Sequence, residues 1–154
     1  MIWFFDTSVL VAAAVGNHPH NLPARFILEE LLLQNHRGFT SAQGLAELYS
    51  VLTRTPFKPP LYPSEVWLII KQMILPHLEL VALTPPEFTG VAQDCAAHGD
   101  LGGRIHDAVH LKCVLKISAD RIYTFNGKDC RALATKEAHG KIIAPKSFWV
   151  SRQP

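Results

Sequence analysis

The sequence predicts an α/β protein, a three-layer sandwich with a central parallel sheet of about five strands flanked by helices. Three observations carry this. Short, almost wholly apolar runs recur along the chain, "IWFF", "LELVAL" and "KIIAP" among them, as expected of strands covered on both faces. Stretches of helical periodicity lie between them, so strand and helix alternate, which favours parallel strands joined by helical crossovers. The length of 154 residues, 48% of them hydrophobic, suits one domain with a sizeable core, expected over 1–154.

The elements follow in order. "IWFFD" is a buried strand ending at a carboxylate, and "TSVLVAAAV" a helix with Thr7 or Ser8 as candidate N-cap. After the loop "GNHPHN", "LPARFILEELLLQN" is an amphipathic helix with Pro23 in its first turn. "GFTSA" is a second strand, and "QGLAELYSVLTR" a helix with Leu45, Leu48, Tyr49 and Leu52 on its apolar side. "TPFKPPLYP", with four prolines in nine residues, is a loop. "SEVWLIIKQM" is a helix with Ser64 as candidate cap. "LELVAL" is the third strand, and "TPPEFTGVAQDCAAH" a helix capped by Thr84. "GDLGG" breaks the chain, its paired glycines allowing a tight backbone approach. "RIHDAVHLKCVLK" is a helix, "RIYTF" the fourth strand, "NGKDCRAL" a turn into a short helix, and "KIIAP" the fifth strand.

Composition narrows the function. The formal charge is +2, so no overall basic field marks a nucleic-acid binder and any basic surface is local. Cys95, Cys113 and Cys130 are odd in number and form no CxxC, which fits reduced cytoplasmic thiols. The apolar N-terminus lacks a basic leader region, carries Asp6 in its middle and is shorter than the ~20 residues that span a bilayer. A soluble cytoplasmic protein without membrane contact is expected. No GxGxxG follows the first strand and no GxxxxGK[ST] occurs, against dinucleotide or P-loop chemistry.

The carboxylates carry the functional signal. Glu29, Glu30, Glu65, Glu79, Glu87, Asp94, Asp100, Asp120 and Glu137 lie in polar or boundary contexts and read as solvated. Four others do not. Asp6 ends the first strand, where α/β sheets bind ligands, though it suits a helix N-cap equally. Glu47 shares a helix side with Gln43, Val51 and Arg54; an ion pair with Arg54 is its plain structural role. Asp107 lines up with Leu111 and Val114 on a helix with little polar surface, in a first turn whose dipole favours an anion. Asp129 and Asn126 follow the fourth strand, where Asn-Gly is also ordinary turn chemistry. Together these groups would repel one another and raise at least one pKa. A hard divalent cation such as Mg²⁺ resolves that conflict and activates water for phosphodiester hydrolysis.

"FFDTSVLVAA", "AELYSVLTR", "GGRIHDAVHLKCVLK" and "IYTFNGKDC", in this order and at this spacing, resemble the motif series of PIN-domain ribonucleases, above all the VapC-type toxins of bacterial toxin–antitoxin pairs. The resemblance covers nearly the whole chain and implies a PIN-like fold. It implies Asp6, Glu47, Asp107 and Asp129 as catalytic acids and Mg²⁺ or Mn²⁺ ligands, with Asn126 at the fourth position. It also matches Thr7 and Thr124 to small hydroxyls beside the acids, and places Cys130 where the family has an aromatic, a packing change. The implied activity is endonucleolytic cleavage of RNA. Arg54 and Arg104 are candidates for holding phosphate, each equally suited to a structural ion pair. Lys58, Lys128 and Arg131 are candidate backbone contacts. Phe57 and Tyr62 suit base stacking or, more simply, core packing. The implied partners are an RNA substrate, a small antitoxin protein and a second copy in a homodimer.

Three rivals stay open. His106 and His110 in "HDAVH" have the i, i+4 spacing of a zinc pair, as "HPH" at His18–His20 has a loop pair, but HExxH is absent and eight histidines make chance pairs common. A PIN fold can also serve RNA processing without a toxin role, or act as a non-catalytic scaffold. A phosphatase-like or receiver-like protein would use Asp6 as nucleophile, yet Thr7 and Ser8 stand where its further acids should be.

Overall fold

Trp3, Phe4 and Phe5 explain the placing of strand β1 (Ile2–Phe5) at the centre of the sheet. All three are buried. Alternate strand residues face opposite ways, so Trp3 and Phe5 enter one core cluster and Phe4 the other. A strand that needs cover on both faces cannot lie at an edge.

The computed structural model describes residues 1–146; the final stretch of the expected domain, 147–154, lies outside the described residues. After β1 come α1 (Thr7–Ala14), α2 (Asn21–Leu33), β2 (Arg37–Ser41), α3 (Ala42–Arg54) and α4 (Pro63–Ile69), which runs into a π-helical turn, Ile70–Ile74. Then follow β3 (Leu78–Val81), α5 (Pro85–His98), α6 (Arg104–Lys116), β4 (Arg121–Tyr123), α7 (Gly127–Leu133), a 3₁₀ turn over Lys136–Lys141 and β5 (Ile142–Ile143). The sheet order is β3-β2-β1-β4-β5, and every pair is parallel. Leu10, Leu31, Leu48, Leu52 and Val66 bring α1 to α4 onto the Trp3 and Phe5 face. Val91, Cys95, Val109 and Val114 bring α5 and α6 onto the Phe4 face. The three-layer α/β architecture expected from the sequence is the one observed, with all five strands in place.

The chain steps outward from β1 to β3 and then returns to the other side of β1 for β4 and β5. Strand order therefore reverses between β1 and β4, and ligands of such sheets bind beyond the strand ends at that point. The Asp6 N–H donates to the Tyr123 carbonyl at 3.0 Å, so the residues after β1 and after β4 emerge side by side.

Several local expectations change. Asp6 itself caps α1, in place of Thr7 or Ser8. Tyr62 precedes α4 and Pro63 opens it, one residue before the expected Ser64 cap; the Glu65 carboxylate accepts the Tyr62 N–H at 2.7 Å. Thr84 does cap α5, in a reciprocal box with Glu87. The paired glycines before α6 face open space and allow no close approach; Gly102 is needed for its φ of 58°. Some carboxylates read as solvated have partners: Glu79 with Arg37, Glu87 with Lys116, Asp100 with Arg104, and Asp120 with the Ile2 N–H. Among the described residues, no helix is long and apolar enough to cross a membrane.

Candidate active site

Asp6 stands where β1 passes into α1, and the residues around it hold its carboxylate by one side. Oδ2 accepts the Ser8 hydroxyl at 2.6 Å and the Thr124 hydroxyl at 2.8 Å. Each hydroxyl is fixed in turn from behind. Ser8 Oγ accepts the Phe125 N–H at 3.0 Å, and Thr124 Oγ1 accepts the Asn126 N–H at 2.9 Å. With Oδ2 so engaged, Oδ1 lies 3.3 Å from Nδ1 of His110.

Glu47 arrives from α3. Its Oε2 accepts the Thr7 hydroxyl at 3.0 Å and its Oε1 accepts Nε2 of Gln43 at 2.9 Å. His106 Nδ1 lies 3.2 Å from Oε1 and His110 Nε2 lies 3.4 Å from Oε2; Gln43 and His106 also touch each other. Burial pushes the Glu47 carboxyl up, but contacts with His110, Gln43 and Thr7 outweigh it and hold the pKa at about 2. His110 is 6% exposed, and its ring stands between Asp6 and Glu47 at ion-pair distance from both, without a well-directed hydrogen bond to either. Burial opposes its charge; Glu47, Asp6 and Asp107 outweigh that and raise its pKa. The ring fits because α3 carries Gly44 opposite it: a Cβ there would lie 3.1 Å from His110 Cε1, 3.0 Å from Ser41 Oγ and 3.2 Å from Thr40 Oγ1.

Asp107 sits one turn before His110 on α6. Together with Asp6, Thr124, Asn126, His110 and Cys130 it lines a narrow cavity. Its free space is about 10 Å³, on the order of what one water-sized particle needs. Burial first, then the charges of Asp6, Asp129 and Glu47, push the Asp107 carboxyl above its ordinary value, and His110 offsets only part of this. Asp129 and Asn126 are exposed: Asn126 lines the cavity, while Asp129 acts on Asp107 through its charge. The Cys130 thiol is pushed up to about 12 by burial and then by Asp6 and Asp107, so it stays protonated and serves as packing, as its sequence context suggested.

The basic candidates divide. Arg104 is held by Asp100 at 3.1 Å, an ion pair with an acid outside the cluster. Arg54 is exposed at the end of α3, two turns and about 10 Å beyond Glu47, and makes no ion pair with it among the described residues. Arg131 donates to the carbonyls of Gly127 and Ile142 and ties α7 to β5. Lys58 and Lys128 are exposed. Phe57 packs on the core and Tyr62 is 64% exposed.

The structure thus brings Asp6, Glu47, Asp107, Thr7, Thr124 and Asn126 together, with Asp129 at the rim. Ser8, Gln43 and Gly44 were not read from the sequence as part of the site, and His110 was read only as half of a zinc pair. For the Ser8 N–H a signal existed, since Asp bonds the backbone two residues on in an Asx-turn; the Ser8 hydroxyl contact had none. No three His, Cys, Asp or Glu side chains among the described residues are placed so as to hold a metal ion as they stand. That leaves the His106–His110 pair without a zinc set. The cavity is lined by Asp6, Asp107 and Asn126, residues with oxygen donors, and the raised Asp107 registers an excess of negative charge there.

The PIN domain family model matches residues 3–135 of this chain. The chain belongs to the PIN domain family. It is similar to Ribonuclease VapC23 of Mycobacterium tuberculosis, with 31% identity over 126 residues that cover 80% of this chain and 91% of that relative. Solved structures share the fold. VapC20 of Mycobacterium tuberculosis, described as a sarcin-ricin loop cleaving toxin, superposes with a TM-score of 0.66 at 16% identity, covering 87% of this chain and 97% of its own. VapBC2 from Rickettsia felis, bound to a DNA fragment from their promoter, gives 0.65 at 18% identity, covering 95% and 100%.

Proposed function

We propose that this chain is an endoribonuclease dependent on Mg²⁺ or Mn²⁺, and the toxin of a bacterial type II toxin–antitoxin pair acting in the cytoplasm. The observation that carries the reading is the gathering of Asp6, Glu47 and Asp107 from three separate elements, with Asp129 close enough to act on Asp107. Like charges brought this near one another cost free energy, and the raised Asp107 carboxyl carries that cost.

Asp6, Asp107 and Asn126 would hold the cation, with Asp129 contributing charge. When bound, the ion supplies acidification of an attacking water and neutralisation of charge at the leaving oxygen. The rest is done by the chain. Ser8 and Thr124 hold Asp6 by one oxygen and leave the other beside His110. His110, Gln43 and Thr7 outweigh burial and hold Glu47 in ionised form, with a pKa of about 2. The His110 ring separates Asp6 from Glu47, and its raised pKa favours the charge that offsets their repulsion. Arg54, Lys58 and Lys128, exposed, are the side chains available to RNA phosphates. A small antitoxin protein covers the site, and the chain pairs as a homodimer, as the VapC-type likeness suggests.

The test is growth arrest on expression in a bacterium. Arrest that Asp6→Asn abolishes and a co-expressed small partner relieves supports the toxin reading. A folded, expressed, harmless wild-type protein contradicts it and leaves RNA processing.

A further inference from the structure

A second concavity opens beside the acids. It is a cleft of about 430 Å³ whose wall includes Thr7, Ser8, His18, His20, Val51 and Phe125, within the range of small-molecule sites. Two of these residues are already in the acid site: Thr7 donates to Glu47 and Ser8 to Asp6. A ligand in the cleft is therefore one side chain away from both carboxylates. The lining also holds a ring stack. His20 lies on Phe125 with centroids 4.4 Å apart and planes 14° from parallel, and Phe125 is the residue between Thr124 and Asn126. His18 Nδ1 accepts the His20 N–H at 3.1 Å, which fixes the loop that presents both rings.

We propose that this cleft seats an unpaired base of the RNA next to the scissile phosphate, stacked against the His20–Phe125 pair, and so sets which sequence is cleaved. The proposal rests on the nuclease reading above. Three features favour a base. No carboxylate lines the cleft, although two lie just behind its wall. Its surface combines flat rings and the aliphatic face of Val51 with hydroxyl and imidazole edges, which suits a π-face with a hydrogen-bonding rim. The acids repel phosphate, and stacking adds a hold beside them that does not depend on charge. Past the end of α1 a separate cleft of about 290 Å³ is bounded by Asn17, Phe57 and Lys58.

The test uses His20→Ala, where the side chain is exposed, and Phe125→Leu, which keeps apolar volume without a ring. Both are expected to raise KM about tenfold, the usual scale of one base stack, with kcat little changed. Both should also relax the nucleotide preference beside the cut when fragments of total RNA are sequenced. The second measurement needs no activity: ring signals of His18 and His20 in the Asp6→Asn protein are followed by NMR as purine-only and pyrimidine-only RNA tetramers are added. Shifts in both rings support the proposal, even for a chain that cleaves nothing, where only the nuclease reading falls. Wild-type KM and cleavage pattern in both variants overturn it. So do ring signals that no RNA moves, including a case where a peptide alone moves them.

Discussion

Asp107 and Glu47 belong to one site and answer pH in opposite ways. The folded protein holds Asp107 above its ordinary pKa, so it binds that proton more tightly than the unfolded chain. Stability from this group is present in acid and falls as pH rises from about 4 through the raised folded value. Glu47 is held at about 2, below the ordinary 4.5; its contribution is present above pH 4.5 and fades as pH falls toward 2. Asp107→Asn is therefore expected to raise the unfolding midpoint at neutral pH, by roughly 1 kcal/mol, while abolishing cleavage. Glu47→Gln is expected to lower the midpoint at neutral pH. Thermal unfolding of both variants from pH 3 to 8 checks the pair, and equal, parallel curves would contradict the assignment. Ser8→Ala and Thr124→Val each remove one hydrogen bond to Asp6. Each is expected to lose about 1 kcal/mol of stability and 10- to 100-fold in activity, read by denaturant titration and RNA cleavage.

Between elements, the key contact is α6 against the start of α3. Gly44 is a poor helix residue, and alanine in its place ordinarily gains ~1 kcal/mol. Here the new Cβ would press on His110 Cε1 at 3.1 Å and on two hydroxyls. Gly44→Ala is expected to reverse the usual sign, losing about 1–3 kcal/mol and pushing the imidazole out of its place between Asp6 and Glu47. A denaturation midpoint above wild type would show that α3 has room to spare. This contact also marks where the sequence ran out. Asp6, Asp107 and the strands were legible because each signal is local: an apolar run ending in a carboxylate, or an acid among leucines and valines. That His110 reaches both Asp6 and Glu47 depends on how closely two helices far apart in sequence approach. A lone glycine in "AQGLAEL" does not announce the ring it accommodates. Arg104 was ambiguous for a more local reason: its partner, Asp100, is only four residues away, but across a loop whose path "GDLGG" leaves undetermined.

At the scale of the molecule, the sheet order places the site. β1 is central because both its faces are apolar, and the reversal of direction between β1 and β4 puts Asp6 beside Thr124 and Asn126. The sequence predicted the alternation and the strand count; the order β3-β2-β1-β4-β5 comes from packing, and with it the adjacency of the fourth strand's end to Asp6. A cation bound at this point stabilises only the folded chain. Mn²⁺ at a hundred times its Kd is expected to add about 2.7 kcal/mol to unfolding, and Asp6→Asn to lose most of that gain. The central claim is that the gathered carboxylates make a metal-dependent ribonuclease, and RNA cleavage by the purified chain tests it most directly. Wild type is expected to cut RNA in Mg²⁺ or Mn²⁺ and to stop in excess EDTA, with folded Asp6→Asn at least about 100-fold slower. Cleavage that persists in EDTA, or equals wild type in Asp6→Asn, would contradict the account.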